Sequence, residues 1–227
     1  MKNIVIIGGT KGIGKSIVEE LIDTNNIMCL SRNKTEFTHS NYKHFSFDVT
    51  KDEYPEFDSI DKLIYCPGSI NLKPITTLSI EDFRNDFELN VIGAVKAIKN
   101  YLPMLKKSTF GSVLLFSTVA TKLGMPYHAS VSVAKSGIDG LVKTLGAELA
   151  PKVRINAIAP TITQTDLASK ILRNEKVVEN MIDRHPLKKI LSPKEVAKMA
   201  SYLISEDALS ISGQIFNMDA GIVSFKS

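Results

Sequence analysis

The stretch that most limits what this chain can fold into is residues 3–14, NIVIIGGTKGIG. Its first half is a short β-branched run of the kind that forms a fully buried strand. Glycines follow at positions 8, 9, 12 and 14, and Ile13, Ile17, Val18, Leu21 and Ile22 then mark one apolar face of a helix spanning Gly12 to Thr24. Strand, glycine turn and amphipathic helix in that order make a βα unit. Gly8 suits a tight turn, Gly12 lets the backbone approach a pyrophosphate, and Gly14 lets helix and strand pack closely. The helix N-terminus adds N–H donors and a positive dipole. Alone, such glycines only shape a turn; directly after a buried strand and opening a helix, they signal dinucleotide binding.

The same alternation runs through the chain. Strand-like runs at 26–30, 44–49, 61–66, 111–118 and 153–160 are separated by helical periods. Residues 78–107 have the period of one long or two abutting helices, with Pro103 limiting regularity near the end, and 130–150 form a helix that stops at Pro151. A polar, irregular segment from Thr161 to Pro193 reads as a mobile substrate lid. A helix at 194–204 and a last strand and turn at 213–221 complete the chain. Parallel strands need helical crossovers, so the expected class is α/β: a single doubly wound Rossmann-type parallel sheet with helices on both faces, in one domain over 1–227. Ligands of such sheets sit outside the carboxyl ends of the strands.

Composition narrows the partners. With 44% hydrophobic and 23% charged residues among 227, the chain can bury one sizeable core, which excludes disordered and low-complexity classes. The formal charge of +4 is dispersed, with short clusters only at Lys106-Lys107 and Lys188-Lys189, so no nucleic-acid stripe is present. No apolar run approaches the roughly 18 residues of a membrane span, and the N-terminal run is too short for a signal peptide. A cytoplasmic protein with a small-molecule substrate, and with neither nucleic acid nor membrane as partner, is expected. Cys29 and Cys66 fall in or beside apolar strands and read as small buried hydrophobes rather than a disulfide. His39, His44, His128 and His185 show no metal-ligand spacing, and no metal is expected.

From end to end the chain resembles the short-chain dehydrogenase/reductases. That family's glycine pattern falls on Ile7, Gly8, Gly12 and Gly14, with isoleucine in place of threonine; FDVT supplies the aspartate that meets the adenine ring, Asp48, followed by Val49. YCPG (65–68) stands where the family has Asn-Asn-Ala-Gly, and only Gly68 matches. LNVIG (89–93) supplies the structural and proton-relay asparagine, Asn90. INAIAPTITQTD (155–166) resembles the Pro-Gly segment, with Thr161 replacing glycine and Thr165 at the threonine that contacts the cofactor. The resemblance implies cofactor contacts from Gly8, Thr10, Lys11, Gly12, Ile13, Gly14, Asp48, Val49, Gly68, Asn90, Lys135, Pro160, Thr163 and Thr165. It also implies a homo-oligomer, dimer or tetramer, built on the two long helices and the apolar C-terminal tail.

Cofactor choice follows from charge. An acid ending the second strand would bind a free adenosine ribose and repel a 2′-phosphate. Here the strand ends CLSRN, so Ser31, Arg32 and Lys11 of the glycine turn favour the phosphate, and NADP(H) is expected over NAD(H).

The resemblance breaks at the proton donor. Relatives carry a serine that polarises the carbonyl, a tyrosine thirteen residues later and a lysine four beyond it. Here those positions are Thr118, Val131 and Lys135. Thr118 can still donate a hydrogen bond; Val131 cannot move a proton. Tyr127 and His128 are the candidate replacements. Roughly 10–12 Å of helix would separate them from Lys135, but Gly124 and Pro126 predict a loop able to fold either ring back. The enoyl-thioester reductase branch places its tyrosine where this chain has His128, and dienoyl-CoA reductases also lack the usual tyrosine. Ser130 reads as the helix N-cap, and Asp166 as a cap or anchor of the lid. Two functions remain open: an NADP(H)-dependent reductase of a carbonyl or activated enoyl group, with Asn90, Thr118, Lys135 and Tyr127 or His128 as catalytic residues, or a catalytically inactive NADP-binding protein serving as redox sensor or structural subunit.

Overall fold

The computed structural model describes residues 1–225, so the last two residues of the expected 1–227 domain lie outside the described residues. Seven parallel strands make one sheet: β1 (Asn3–Ile7), β2 (Asn26–Ser31), β3 (Tyr42–Ser46), β4 (Lys62–Tyr65), β5 (Gly111–Phe116), β6 (Val153–Pro160) and β7 (Ile215–Met218). Their order is β3-β2-β1-β4-β5-β6-β7. The chain builds outward from β1 to β3, crosses back to β4 and continues the other way. The carboxyl ends of β1 and β4 therefore flank the switch-point crevice, where a doubly wound sheet takes its ligand.

The period of two along β1 divides the core. Val5 and Ile7 face one layer with Leu63, Tyr65, Val113 and Leu115, covered by α3 (Gly93–Lys107) and α4 (Ala129–Leu149). Ile4 and Ile6 face the other, with Ile64, Leu114 and Ile158, under α1 (Gly12–Leu21) and α6 (Pro193–Ile204). Both faces of the central strands are buried, which is why they read as continuous apolar runs.

Several boundaries differ from the sequence expectation. The segment 78–107 is α2 (Ile80–Phe87), a π-helical turn (Glu88–Ile92) and α3. Pro103 lies inside α3 without ending it, on the exposed face of the helix, where one missing backbone hydrogen bond is tolerated. The strand placed at 44–49 is shifted to Tyr42–Ser46, leaving Asp48 in the loop beyond it. The segment 161–193 is not structureless: it holds a 3₁₀ turn (Asp166–Ala168) and α5 (Glu175–Arg184), capped by Asn174 Oδ1 on the Val177 N–H at 3.0 Å. Ser130 does not cap α4. The helix starts at Ala129 behind His128, and the Ser130 hydroxyl is buried with no partner among the described residues.

Gly93 opens α3 where the helix touches β4: a Cβ there would strike the Tyr65 hydroxyl and come within 2.9 Å of Val49 Cγ2. Gly140, on the exposed side of α4, meets nothing within 4 Å. Gly93→Ala is expected to cost about 1–3 kcal/mol by overpacking, whereas Gly140→Ala stabilises by about 0.5–1 kcal/mol. Urea unfolding of the two variants beside wild type measures both.

Candidate functional site

At the crevice lies a cleft of about 630 Å³. The glycine turn forms its floor. Gly8 (φ +78°) and Gly12 (φ +52°) adopt left-handed backbone that side chains resist, and a Cβ on Gly14 would run into the Gly8 carbonyl oxygen. Lys11 enters α1 in extended conformation with no side-chain cap, whereas α2 and α6 carry reciprocal Ser79–Asp82 and Ser192–Glu195 caps. The first N–H groups of α1 are thereby left for whatever occupies the cleft.

Thr10, Lys11, Ile13, Ser31, Arg32, Asp48, Val49, Gly68 and Thr165 line the same cleft as the glycines. Asp48 accepts from Thr50 N at 3.0 Å and Thr50 Oγ1 at 2.7 Å. Those two bonds, with the charges of Lys51 and Arg32, hold its carboxyl below the usual range. The Ser31 hydroxyl is shared with Asn33 O (3.1 Å) and His44 Nε2 (2.9 Å), whereas Arg32 and Lys11 are exposed. Pro160 and Thr163 do not reach the cleft wall; the Thr163 hydroxyl turns to Thr161 O at 3.0 Å. Thr165 caps the 3₁₀ turn through Ala168 N at 3.3 Å, so Asp166 is the first residue of that turn rather than its cap.

Beside the cleft, three elements converge. Lys135 on α4 is buried and donates from Nζ to Phe116 O at 2.8 Å. Burial pushes its ammonium down to about 8, against the upward pull of Cys66, Asp139 and Asp86. Asn90, fully buried in the π-helical turn, donates from Nδ2 to Asp86 O (2.7 Å) and Ser69 Oγ (3.0 Å). A Cβ built on Gly68 would lie 3.4 Å from Asn90 Oδ1 and 3.5 Å from Lys135 Nζ, so both groups close around that glycine. The Thr118 hydroxyl accepts from Ala120 N at 3.3 Å and keeps its own proton to donate.

The π-helical turn positions Asn90. Its five-residue spacing, Gly93 N–H to Glu88 O, widens the helix and frees the Leu89 carbonyl to accept from the buried Tyr65 hydroxyl at 2.5 Å. Tyr65, in the place of the family's first asparagine, thus braces the segment that carries Asn90.

Tyr127 and His128 lie elsewhere. They line a second hollow of about 480 Å³ with Lys73, Met125 and Ser132. Tyr127 is 59% exposed at φ +70°, and His128 donates from Nδ1 to Pro126 O at 2.7 Å, leaving Nε2 toward the surroundings. Val131 is buried. His185, which the sequence left unassigned, donates from Nδ1 to Met181 O (2.6 Å) and accepts at Nε2 from Thr161 Oγ1 (2.8 Å), tying α5 to the end of β6. Among the described residues no His, Cys, Asp and Glu group could hold a metal, and no helix is long and apolar enough to cross a membrane.

A doubly wound sheet with a glycine turn at its switch point and a buried lysine–asparagine pair beside it has the form of a Rossmann-type oxidoreductase. A family model described as "Enoyl-(Acyl carrier protein) reductase" matches residues 47–223. A 3-oxoacyl-(acyl-carrier-protein) reductase, FabG, of Buchnera aphidicola is 27% identical over 239 residues, covering 97% of each chain. A tropinone reductase homolog of Arabidopsis thaliana is 30% identical over 244 residues, covering 97% of this chain and 91% of that one. The solved structure of ElxO with NADP bound superposes with a TM-score of 0.90 at 27% identity, over 99% of this chain and all of that one. 4-Hydroxyisoleucine dehydrogenase complexed with NADH shares the fold at a TM-score of 0.92 and 23% identity, over the whole of both chains. The chain belongs to the short-chain dehydrogenase/reductase family.

Cys29 and Cys66 are both free, and burial raises both thiols above their ordinary value. At pH 8 the native protein is expected to react slowly with an aromatic disulfide reagent at both positions, and the urea-unfolded chain to release two equivalents at once. Fast labelling of native Cys66 would contradict the packing of the cleft wall.

Proposed function

We propose that the protein is an NADP(H)-dependent reductase acting on a carbonyl or activated enoyl group of a small molecule. The observation that carries this reading is the continuity of the cleft: the uncapped α1 N-terminus and left-handed glycines suit a pyrophosphate, and the Asn90–Lys135 pair closes the site beside Gly68. When bound, the nicotinamide supplies the hydride; the chain's residues do the rest.

Gly8, Thr10, Gly12, Ile13 and Gly14 approach the pyrophosphate with their backbone. Asp48 and Val49 border the adenine, and Thr165 closes over the cofactor from the far wall. Lys135 and Asn90 hold the ribose next to the ring. Because the Ser31 hydroxyl is already shared with His44 and Asn33, Arg32 and Lys11 carry most of the 2′-phosphate recognition. Thr118 donates to the substrate oxygen and steadies the charge that develops there. The segment 161–193 acts as the substrate lid, hinged where His185 joins α5 to β6. Tyr127 and His128 border the substrate's entrance, and a homo-oligomer in the cytoplasm is the working assembly.

Val131 supports the rival reading, nucleotide binding without turnover. The names of the sequence relatives, a 3-oxoacyl-(acyl-carrier-protein) reductase and a tropinone reductase homolog, favour the enzyme.

Fluorescence titration with NADPH and NADH tests the cofactor assignment. NADPH is expected to bind about tenfold or more tightly than NADH, the equivalent of one charge-assisted bond, and Arg32→Asp to abolish or reverse the preference. Unchanged NADPH affinity in Arg32→Asp would count against it.

A further inference from the structure

Asp86 is the buried residue of α2, a helix that packs on α4, and nothing above gives it a role. It is 4% exposed. Its Oδ1 accepts from Ser69 Oγ at 2.6 Å, while Oδ2 has no partner among the described residues. Ser69 in turn accepts from Asn90 Nδ2 at 3.0 Å, and Asn90 Oδ1 also lacks a partner among the described residues. The hydrogen bonds thus run in one direction, Asn90 to Ser69 to Asp86, and end on a carboxyl that only accepts. An ionised carboxylate offers only acceptors, and Oδ1 is used as one. Buried carboxylates are costly without a counter-charge.

The cation that meets this need is Lys135, whose Nζ commits one of its three N–H bonds to Phe116 O and faces Asn90 Oδ1 across Gly68. Two other acids near the pair are already matched, and two groups besides Asp86 also act on Lys135. Glu88 is drawn to Lys96 at 2.6 Å, and Asp82 to Lys73 at 2.9 Å. Asp139, one turn beyond Lys135 on α4, has an unpartnered Oδ1 among the described residues, and Cys66 faces Lys135 from the end of β4.

We propose that Asp86 is the counter-charge of Lys135, held ionised by Ser69 and Asn90, and that the ammonium it sustains is the proton source in a site where Val131 offers none. In the reduction, reduced nicotinamide, when bound, would supply the hydride to the carbonyl carbon as the C=O π pair moves to the oxygen. One proton leaves Lys135 Nζ for that oxygen, and the neutral amine is recharged from water. Asp86 acts through Lys135 and is a positioning residue. The inference rests on the proposed reading of Lys135 and Asn90 as the centre of the site.

The test is a pH titration of the full-length protein carrying ¹³Cε,¹⁵Nζ-lysine, followed by NMR, with the Lys135 signal assigned by its loss in Lys135→Met. Lys135 is expected to titrate near 8 in wild type and measurably lower in Asp86→Asn. Ser69→Ala keeps the charge and should shift it less; a purely structural role for Asp86 would not separate the two variants. An unmoved midpoint in Asp86→Asn overturns the proposal. Should circular dichroism show that variant unfolded, Asp86→Ser carries the same expectation. NADPH titration of the same samples separates the two failures. Coupling in a protein that binds no NADPH refutes the proposed function and leaves the counter-charge standing, whereas NADPH binding with an unmoved Lys135 does the reverse.

Discussion

The contact on which the rest depends is that of Gly14 with the carbonyl of Gly8, where even a methyl group has no room. It brings the start of α1 directly over the end of β1, so helix N–H groups and strand terminus share one crevice. Helix α1 then lies on α6, the first crossover fixes β2 beside β1, and β4 takes the other side. A larger residue at 14 would tilt α1 away and open the cleft whether or not the sheet survived. The apolar core supplies stability; this glycine pair supplies the geometry that gives the stability a use.

A second constraint is the π-helical turn. Inserting Glu88–Ile92 between α2 and α3 frees the Leu89 carbonyl, which the buried Tyr65 hydroxyl takes up, while the half-buried Tyr54 hydroxyl donates to Gly93 O at 3.0 Å just beyond it. The same turn rotates Asn90 into the interior, where it meets Ser69, Asp86 and, across Gly68, Lys135. Helix, strand end and loop meet at one buried polar cluster because each contributes a group that the others leave short of partners.

The central strands were legible because each is an apolar run with its own turn chemistry, and β1 and β6 fall where periodicity put them; β3, YKHFS, is half-exposed and its bounds were missed. Helix α5 was not legible: its apolar stripe of Val177, Val178, Met181 and Ile182 is only two turns long and half-buried, in a segment otherwise polar enough to read as a loop. The π-helical turn has no local marker in ELNVI; tyrosines elsewhere in the chain hold it. Asp86 reads as one more polar residue on an exposed helix, and only the fold brings Ser69 to it from 17 residues away. Ser130 misled because a hydroxyl near a helix start resembles a cap; His128 and Ala129 open the helix first. Gly68, Asn90 and Lys135 were identified through family resemblance, and the structure brings those three together.

The central claim is that this site moves hydride although the position of the relatives' tyrosine holds Val131. The most direct measurement follows NADPH absorbance at 340 nm after mixing protein and NADPH with a 3-oxoacyl thioester or a 2-enoyl thioester, in wild type and in Thr118→Val. The account expects enzyme-dependent loss of absorbance with at least one probe, reduced by about a hundredfold without the Thr118 hydroxyl. Tight NADPH binding with no oxidation by either probe would contradict it and leave a nucleotide-binding protein in its place.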